Sequence, residues 1–433
     1  MMQSEISRSP GMLSMNRNAW LVTITSLAGW TLVNMDGSFF TFSYPLIQKQ
    51  FHITTQQVSF LYTGIFLIGA VVTFVIGPVL DRLGRKGVFQ FTLLATALGS
   101  LLSGLAFNFT SLFVFRGITQ VGASSEWMAG QVMVAEEAPN HTRGWWVGFA
   151  QIGWPVGWFI ASLLSLALVP TLGWRWLFVI GVVPALFTLW VRRNVQETDR
   201  FQDIKKIRQQ LDENRAAEAR YATNTAKVNE FTYAQLFEPD LARTSILVFL
   251  WQLIYNYGAA SIIYWLPELF IHYGLPLTSE YATSAWATGL AIIGYLSAAV
   301  LGEKFGRREV SALYLAIGAV SGLLLGLKGT TWIAITVFYA GFYFFAIGQM
   351  GAAVAFALES FPTRARGTGG TLLAVATWVG FIAAGLTGPI LFSAWGVPAT
   401  IAVWGGLCAI IPAILALGTR RVKPGVALEE IAQ

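Results

Sequence analysis

Long apolar runs separated by short polar turns repeat along almost the whole chain. A helix rising 1.5 Å per residue needs about 20 apolar residues to cross some 30 Å of hydrocarbon. Twelve runs of that order are read, at about 19–47, 57–80, 87–107, 110–136, 143–169, 174–192, 243–271, 281–302, 309–327, 331–358, 367–395 and 398–418. Their apolar character is continuous and does not alternate, so they predict spanning helices and not the strands of a membrane barrel. The first run carries Asn34 and Asp36, is too long for a leader and lacks a small-residue cleavage site; it is read as a retained helix.

Composition agrees with the pattern. Of 433 residues, 55% are hydrophobic and 12% charged, whereas soluble domains carry about 25% charged residues. The net charge of +6 suggests nucleic acid until the positions are examined. With both termini cytoplasmic, 24 of the 28 Lys and Arg fall on the inner side, three outside (Lys49, Arg175, Lys328) and one, Arg116, within a span. That bias is the positive-inside rule, and it orients the chain in a plasma membrane, expected to be a bacterial inner membrane. One cysteine, Cys408, rules out an intrachain disulfide, and His52, His141 and His272 are scattered. No metal or cofactor site is expected. No nucleophile with a base and no phosphate loop is recognisable, so an enzyme is not expected.

The only long hydrophilic stretch, Asn194 to Ala242, lies between the sixth and seventh runs. Phe201, Ile204, Ile207 and Leu211 recur there at helical spacing, which predicts a surface amphipathic helix. Five regions follow: a segment at 1–18, a six-helix bundle at 19–192, a partly helical linker at 193–242, a second bundle at 243–418 and a tail at 419–433. The bundles are repeats. "GPVLDRLGRK" at 77–86 returns as "AVLGEKFGRR" at 299–308, and "EEAPNHTRG" at 136–144 returns as "ESFPTRARG" at 359–367, at offsets of 222 and 223. Two patterns at nearly one offset indicate a six-helix unit present twice, as in carriers whose halves rock about a central site.

The repeated patterns sit in turns on the inner side. Their acids and bases, Asp81, Arg82, Arg85, Glu136, Arg143, Glu303, Arg307, Glu359 and Arg366, with Gly84 at the turn, can bond helix ends and each other as a breakable latch. Positive-inside anchoring accounts for the bases but not for the acids or the repetition.

Two further charges, Arg116 and Glu126, lie inside the fourth run, where a charge costs about 2.5–3.5 kcal/mol. They are ten residues apart, about 15 Å along the axis, so they are not partners on one helix face. Arg116 suits a substrate carboxylate, a nearby acid whose ionised form it would favour, or a structural ion pair. Asp36, followed by Gly37, either reaches the same cavity or caps a break in the first helix. A carboxyl held out of water is readily neutral, as a proton carrier requires. Polar and aromatic residues available to line a cavity include Asn34, Tyr44, Gln151, Trp154, Gln252, Tyr255, Asn256, Tyr257, Tyr339, Tyr343, Gln349 and Trp378. At the repeat offset Arg116 faces Tyr339 and Glu126 faces Gln349, so the second half lacks both charges.

"GPVLDRLGRK" resembles the signature loop of the major facilitator superfamily, and the second copy stands where that fold expects it. "RGITQVGASSEW" at 116–127, "GWRWLFVIGVVPAL" and "RRNVQETDRF" resemble its sialate and metabolite proton symporter branch, which includes sialic acid and monocarboxylate carriers. The chain departs at Thr119–Gln120, at Ser124–Ser125 and at Phe39, where a second acid is usual. The resemblance implies an all-α membrane protein of two pseudo-symmetric six-helix bundles, acting as a monomer by alternating access. It implies import of a small organic acid, sialic acid or another mono- or aromatic carboxylate, with protons. Coupling would reside in the first half at Glu126 and Asp36, with Arg116, Asn34, Tyr44, Gln151, Gln252, Asn256, Tyr257, Tyr339 and Gln349 toward the substrate. A neutral-sugar carrier is the alternative, and a transport-like sensor stands third. The antiporter pattern of helix five is missing, with Trp154 where it requires proline.

Overall fold

The computed structural model describes residues 17–83, 85–138, 143–183, 186–187, 190–191, 234–239, 241–361 and 366–419. Among them there is no strand. The first half contains α1 (Arg17–Phe51), α2 (Thr55–Leu83), α3 (Arg85–Gly104), α4 (Phe109–Glu137), α5 (Arg143–Gln151), α6 (Gly153–Leu172) and α7 (Arg175–Ile180). After a short 3-10 turn at Ala234–Phe237 come α8 (Ala242–His272), α9 (Leu277–Phe305), α10 (Arg307–Lys328), α11 (Trp332–Phe342), a π-helical turn at Tyr343–Ile347, α12 (Met350–Glu359), α13 (Arg366–Trp395) and α14 (Val397–Leu417). Element starts recur at nearly one offset: Thr55 and Leu277, Arg85 and Arg307, Phe109 and Trp332, Arg143 and Arg366.

Among the described residues, nine helical segments are long and apolar enough to span a membrane. Neither α1 nor α4 is among them, because they carry Asp36, Arg116 and Glu126. Most helices run past the apolar runs that announced them. The eighth begins at Leu277 and not near 281, which brings Glu280 into its first turn.

Prolines set the breaks, and one of them opens a carbonyl that is then used. Pro155 cannot donate to Gln151, so the fifth crossing breaks at Ile152 into α5 and α6. Pro389 likewise frees the carbonyl of Gly385, which accepts from the Ser59 hydroxyl of the opposite half at 2.6 Å. Close packing depends on small residues. A Cβ built on Gly322 would lie 2.5 Å from the Gly405 Cα, so α10 and α14 touch backbone to backbone.

The first and last described residues, Arg17 and Thr419, lie on one face, called here the near face, and the other is the far face. The halves meet along α2 against α13 and α6 against α9. Among the described residues, three hydrogen bonds join them at the far face. Ser59 donates to Gly385; the Tyr281 hydroxyl donates to the Phe42 carbonyl at 3.0 Å; the Tyr44 hydroxyl donates to Glu268 Oε1 at 3.4 Å. Deeper along the same seam, Trp378 Nε1 donates to Thr73 Oγ1 at 2.9 Å.

Candidate functional site: a buried ion pair behind an aromatic wall

A capping box positions α4. Asn108 accepts from the backbone N–H of Ser111 while the Ser111 hydroxyl accepts from the backbone N–H of Asn108, so the helix starts at Phe109 and Arg116 falls in its second turn. The guanidinium reaches α1, where Nη1 donates to Asp36 Oδ2 at 2.9 Å. Both residues are buried, Arg116 to 3% and Asp36 to 0% exposure. The rings of Phe40 and Phe178 flank the cation at 5.6 and 5.7 Å, within cation–π range. The pair is incompletely satisfied, since Arg116 Nε and Asp36 Oδ1 have no partner.

Phe40 is also the first ring of an aromatic wall shared by both halves. It packs on Tyr62 at 5.1 Å, Tyr62 on Tyr264 at 5.1 Å, Tyr264 on Phe66 at 5.3 Å and Phe66 on Phe381 at 5.4 Å. Trp158 lies 6.4 Å from Tyr264, and Trp154 stacks on Tyr343 at 6.2 Å. Tyr62, Phe66, Trp154 and Trp158 belong to the first half; Tyr264, Tyr343 and Phe381 belong to the second.

Glu126 sits elsewhere. It is fully buried inside the first bundle, and neither carboxyl oxygen has a hydrogen-bond partner. A Cβ on Gly29 would lie 2.5 Å from its Oε1 and 2.6 Å from the Phe89 ring. Nearby, the Ser26 hydroxyl donates to the Gly130 carbonyl at 3.0 Å, so small residues bring α1 onto α4 here. Gly29 lies two turns from Asp36 on α1, about 10 Å along its axis. The structure therefore does not bring Glu126 against Arg116; each finds a different level of α1.

The remaining expected positions divide. Tyr44 bonds Glu268 across the halves. Tyr339 is buried and donates to the Tyr343 hydroxyl at 3.0 Å, which places it behind the wall. Half-buried Gln252 donates to Thr377 Oγ1 at 2.8 Å, and Asn256 donates to the Gln252 carbonyl at 2.7 Å. Asn34 turns back to the Trp30 carbonyl at 2.7 Å. Gln151 lies buried at the α5–α6 break. Two are held inside the second bundle: Tyr257 bonds Thr387 and Trp404, and Gln349 accepts from Ser311.

Of the expected latch, Asp81, Arg82, Gly84, Arg85, Glu136, Arg143, Glu359 and Arg366 lie outside the described side chains, as does the linker helix expected at 201–211. Glu303 and Arg307 are described and pair with each other within one helical turn of sequence. Arg308, next to Arg307, donates to the Thr419 carbonyl at 2.7 Å just beyond α14.

Glu268 and Glu280 were not singled out from the sequence. Both are acids of the second half that face the inter-half seam, and Glu280 is 1% exposed. The second half lacks charge at the positions matching Arg116 and Glu126, yet it carries a buried carboxyl at another level. Pro267, inside the last turns of α8 and next to Glu268, and Pro276, the N-cap residue of α9, four residues before Glu280, were the available signals.

The Major Facilitator Superfamily model matches residues 19–345. The chain is 26% identical over 380 residues to the niacin transporter NiaP of Acinetobacter baylyi, covering 84% of each chain. It is 30% identical over 348 residues to a probable 4-methylmuconolactone transporter of Cupriavidus pinatubonensis, covering 79% of this chain and 76% of that one. Its fold is similar to the inward-open xylose transporter XylE from E. coli, with a TM-score of 0.73 at 17% identity over 95% of this chain and 99% of the other. Nine candidate spans among the described residues, elements repeated in two halves, a seam between the halves and this family match agree: the chain belongs to the Major Facilitator Superfamily and is an integral-membrane secondary transporter, not an enzyme.

Proposed function

We propose that the protein imports a small carboxylic acid together with a proton, across a bacterial inner membrane with its near face in the cytoplasm. The observation that carries this reading is the buried Asp36–Arg116 pair set directly behind the aromatic wall. An ionised Asp36 occupies one arm of the guanidinium fork. A proton on Asp36 removes that competitor, and the freed N–H groups then suit a carboxylate entering from the seam. Substrate anion and proton thus enter as one neutral pair, and neither binds well without the other. Flat rings at Tyr62, Tyr264, Trp158 and Phe381 suit a planar, unsaturated or aromatic body. The niacin transporter among the relatives favours that end of the carboxylate class over sialic acid. The 24-to-three distribution of Lys and Arg supports the orientation.

Glu126 is the second candidate for the proton, since a fully buried acid with both oxygens unpartnered has no structural bond to serve. The test uses proteoliposomes, labelled nicotinate and an imposed inward pH gradient. Asp36→Asn is expected to exchange labelled for unlabelled nicotinate but to lose accumulation. If Asp36→Asn accumulates like the parent while Glu126→Gln does not, the proton travels at Glu126. Uptake of xylose with none of nicotinate, benzoate or sialic acid would overturn the organic-acid reading in favour of a sugar carrier.

A further inference from the structure

Glu280 stands outside the Asp36–Arg116 mechanism and is buried where the two halves meet at the far face. Its Oε1 accepts from the Ser284 hydroxyl at 3.1 Å, and its Oε2 has no partner. The next residue, Tyr281, donates across the seam to the Phe42 carbonyl, and Phe42 packs on the Tyr281 ring at 5.6 Å. The ionisable side chains that feel its charge are Tyr281 on its own helix, Tyr44 on α1, Tyr62 on α2, Tyr339 on α11 and Tyr343 in the π turn. Glu268 of α8 lies on the other side of Tyr44, which is influenced by both acids. Among the described residues no Lys, Arg or His forms an ion pair with Glu280.

We propose that Glu280 is a second proton site of the carrier, taking a proton from far-face water as the condition for the halves to close over Tyr44 and Tyr281. This rests on the proton-symport reading above and adds a group to it. When the far face is open, water reaches the carboxyl and solvates its charge. Closure brings Phe42 and Tyr44 against α8 and α9, removes that water and leaves Oε2 with nothing to bond. An unpaired carboxylate is costly in such a place, whereas a neutral acid is tolerated, so the protonated form is the one that closes. A route onward exists. The Tyr339 hydroxyl lies against Ser284 and bonds the Tyr343 hydroxyl at 3.0 Å, and Tyr343 stacks on Trp154 in the central wall. The carboxyl's proton can leave from the oxygen that meets Ser284, once the carboxyl turns to present it there, and pass along these hydroxyls toward the centre when the near face opens.

The test reads far-face closure separately from transport. Ser59, which is buried in the closed seam, is replaced by cysteine in a Cys408→Ala background. Its labelling by an impermeant maleimide added from the far side is divided, at each pH, by that of an exposed Gln56→Cys control. The parent is expected to label quickly at high pH, and labelling should fall roughly tenfold per pH unit below a midpoint, as one titrating group requires. Glu280→Gln is expected to label slowly at every pH and to exchange nicotinate more slowly than the parent, because exchange needs the far face to open. Ser284→Ala, which removes the donor to Oε1, should move the midpoint upward with the protein otherwise intact, and it carries the test if the glutamine variant does not fold. A Glu280→Gln variant that labels with the parent's pH dependence, or an unmoved midpoint in Ser284→Ala, overturns the proposal. So does a parent whose labelling ignores pH. Failure of the symport reading appears elsewhere, as nicotinate accumulation indifferent to the pH gradient.

Discussion

Removing the Arg116 side chain while Asp36 remains tests the centre of the site. In Arg116→Leu, Asp36 keeps 0% exposure and loses its one hydrogen bond. Breaking a buried ion pair from one side costs about 3–5 kcal/mol, because the surviving charge stays desolvated. A single bond with two atoms already unpartnered puts this pair near the lower end, about 3 kcal/mol. Loss of the desolvated contacts to Phe40 and Phe178, at the outer edge of cation–π range, adds about 2 kcal/mol each at most. The double variant Asp36→Asn with Arg116→Leu removes both charges and should recover a coupling of roughly 2 kcal/mol. The assay is thermal unfolding in mild detergent followed by tryptophan fluorescence, for the parent, both single variants and the double. Exchange of labelled nicotinate should vanish in both variants lacking the guanidinium, even in the restored double. Additive losses in the double variant would refute the pair as a shared interaction and reduce Arg116 to two separate packing contacts.

Arg116→Lys keeps the charge but not the fork, so half-saturation for nicotinate should rise at least about tenfold, read by initial uptake rates; an unchanged value removes the carboxylate clamp. Gly29→Ala puts a methyl 2.5 Å from Glu126 Oε1 and 2.6 Å from Phe89, and should cost about 1–3 kcal/mol in the same unfolding assay. Glu126→Gln removes no hydrogen bond and should melt within about 1 kcal/mol of the parent, so any loss of accumulation in that variant reports coupling and not collapse. Tyr62→Phe should leave uptake nearly intact whereas Tyr62→Ala should abolish it, since the ring contacts Phe40, Phe66 and Tyr264 and the hydroxyl only meets Thr41.

The spanning helices and the repeat were legible along the chain because both follow from local properties. An apolar run long enough to cross hydrocarbon must satisfy its own backbone, so a helix is the only outcome, and two patterns at one offset need no contact information to be seen. The acids of the site were legible as charges but not as partners. Arg116 and Asp36 are 80 positions apart, and only the crossing of α1 and α4 decides that they meet while Glu126 turns to Gly29. Gln349 and Tyr257 read as cavity residues because amides and phenols suit a substrate, yet helix rotation turned both toward Ser311 and Trp404 inside their own bundle. Glu280 escaped for a different reason. Hydropathy marks where a helix enters hydrocarbon, not where it begins, and the four residues before 281 read as a polar loop. Burial at that position comes from Tyr44 and Tyr281 of opposing halves closing over it, and apposition of two halves is a property of their packing that no local stretch of sequence carries.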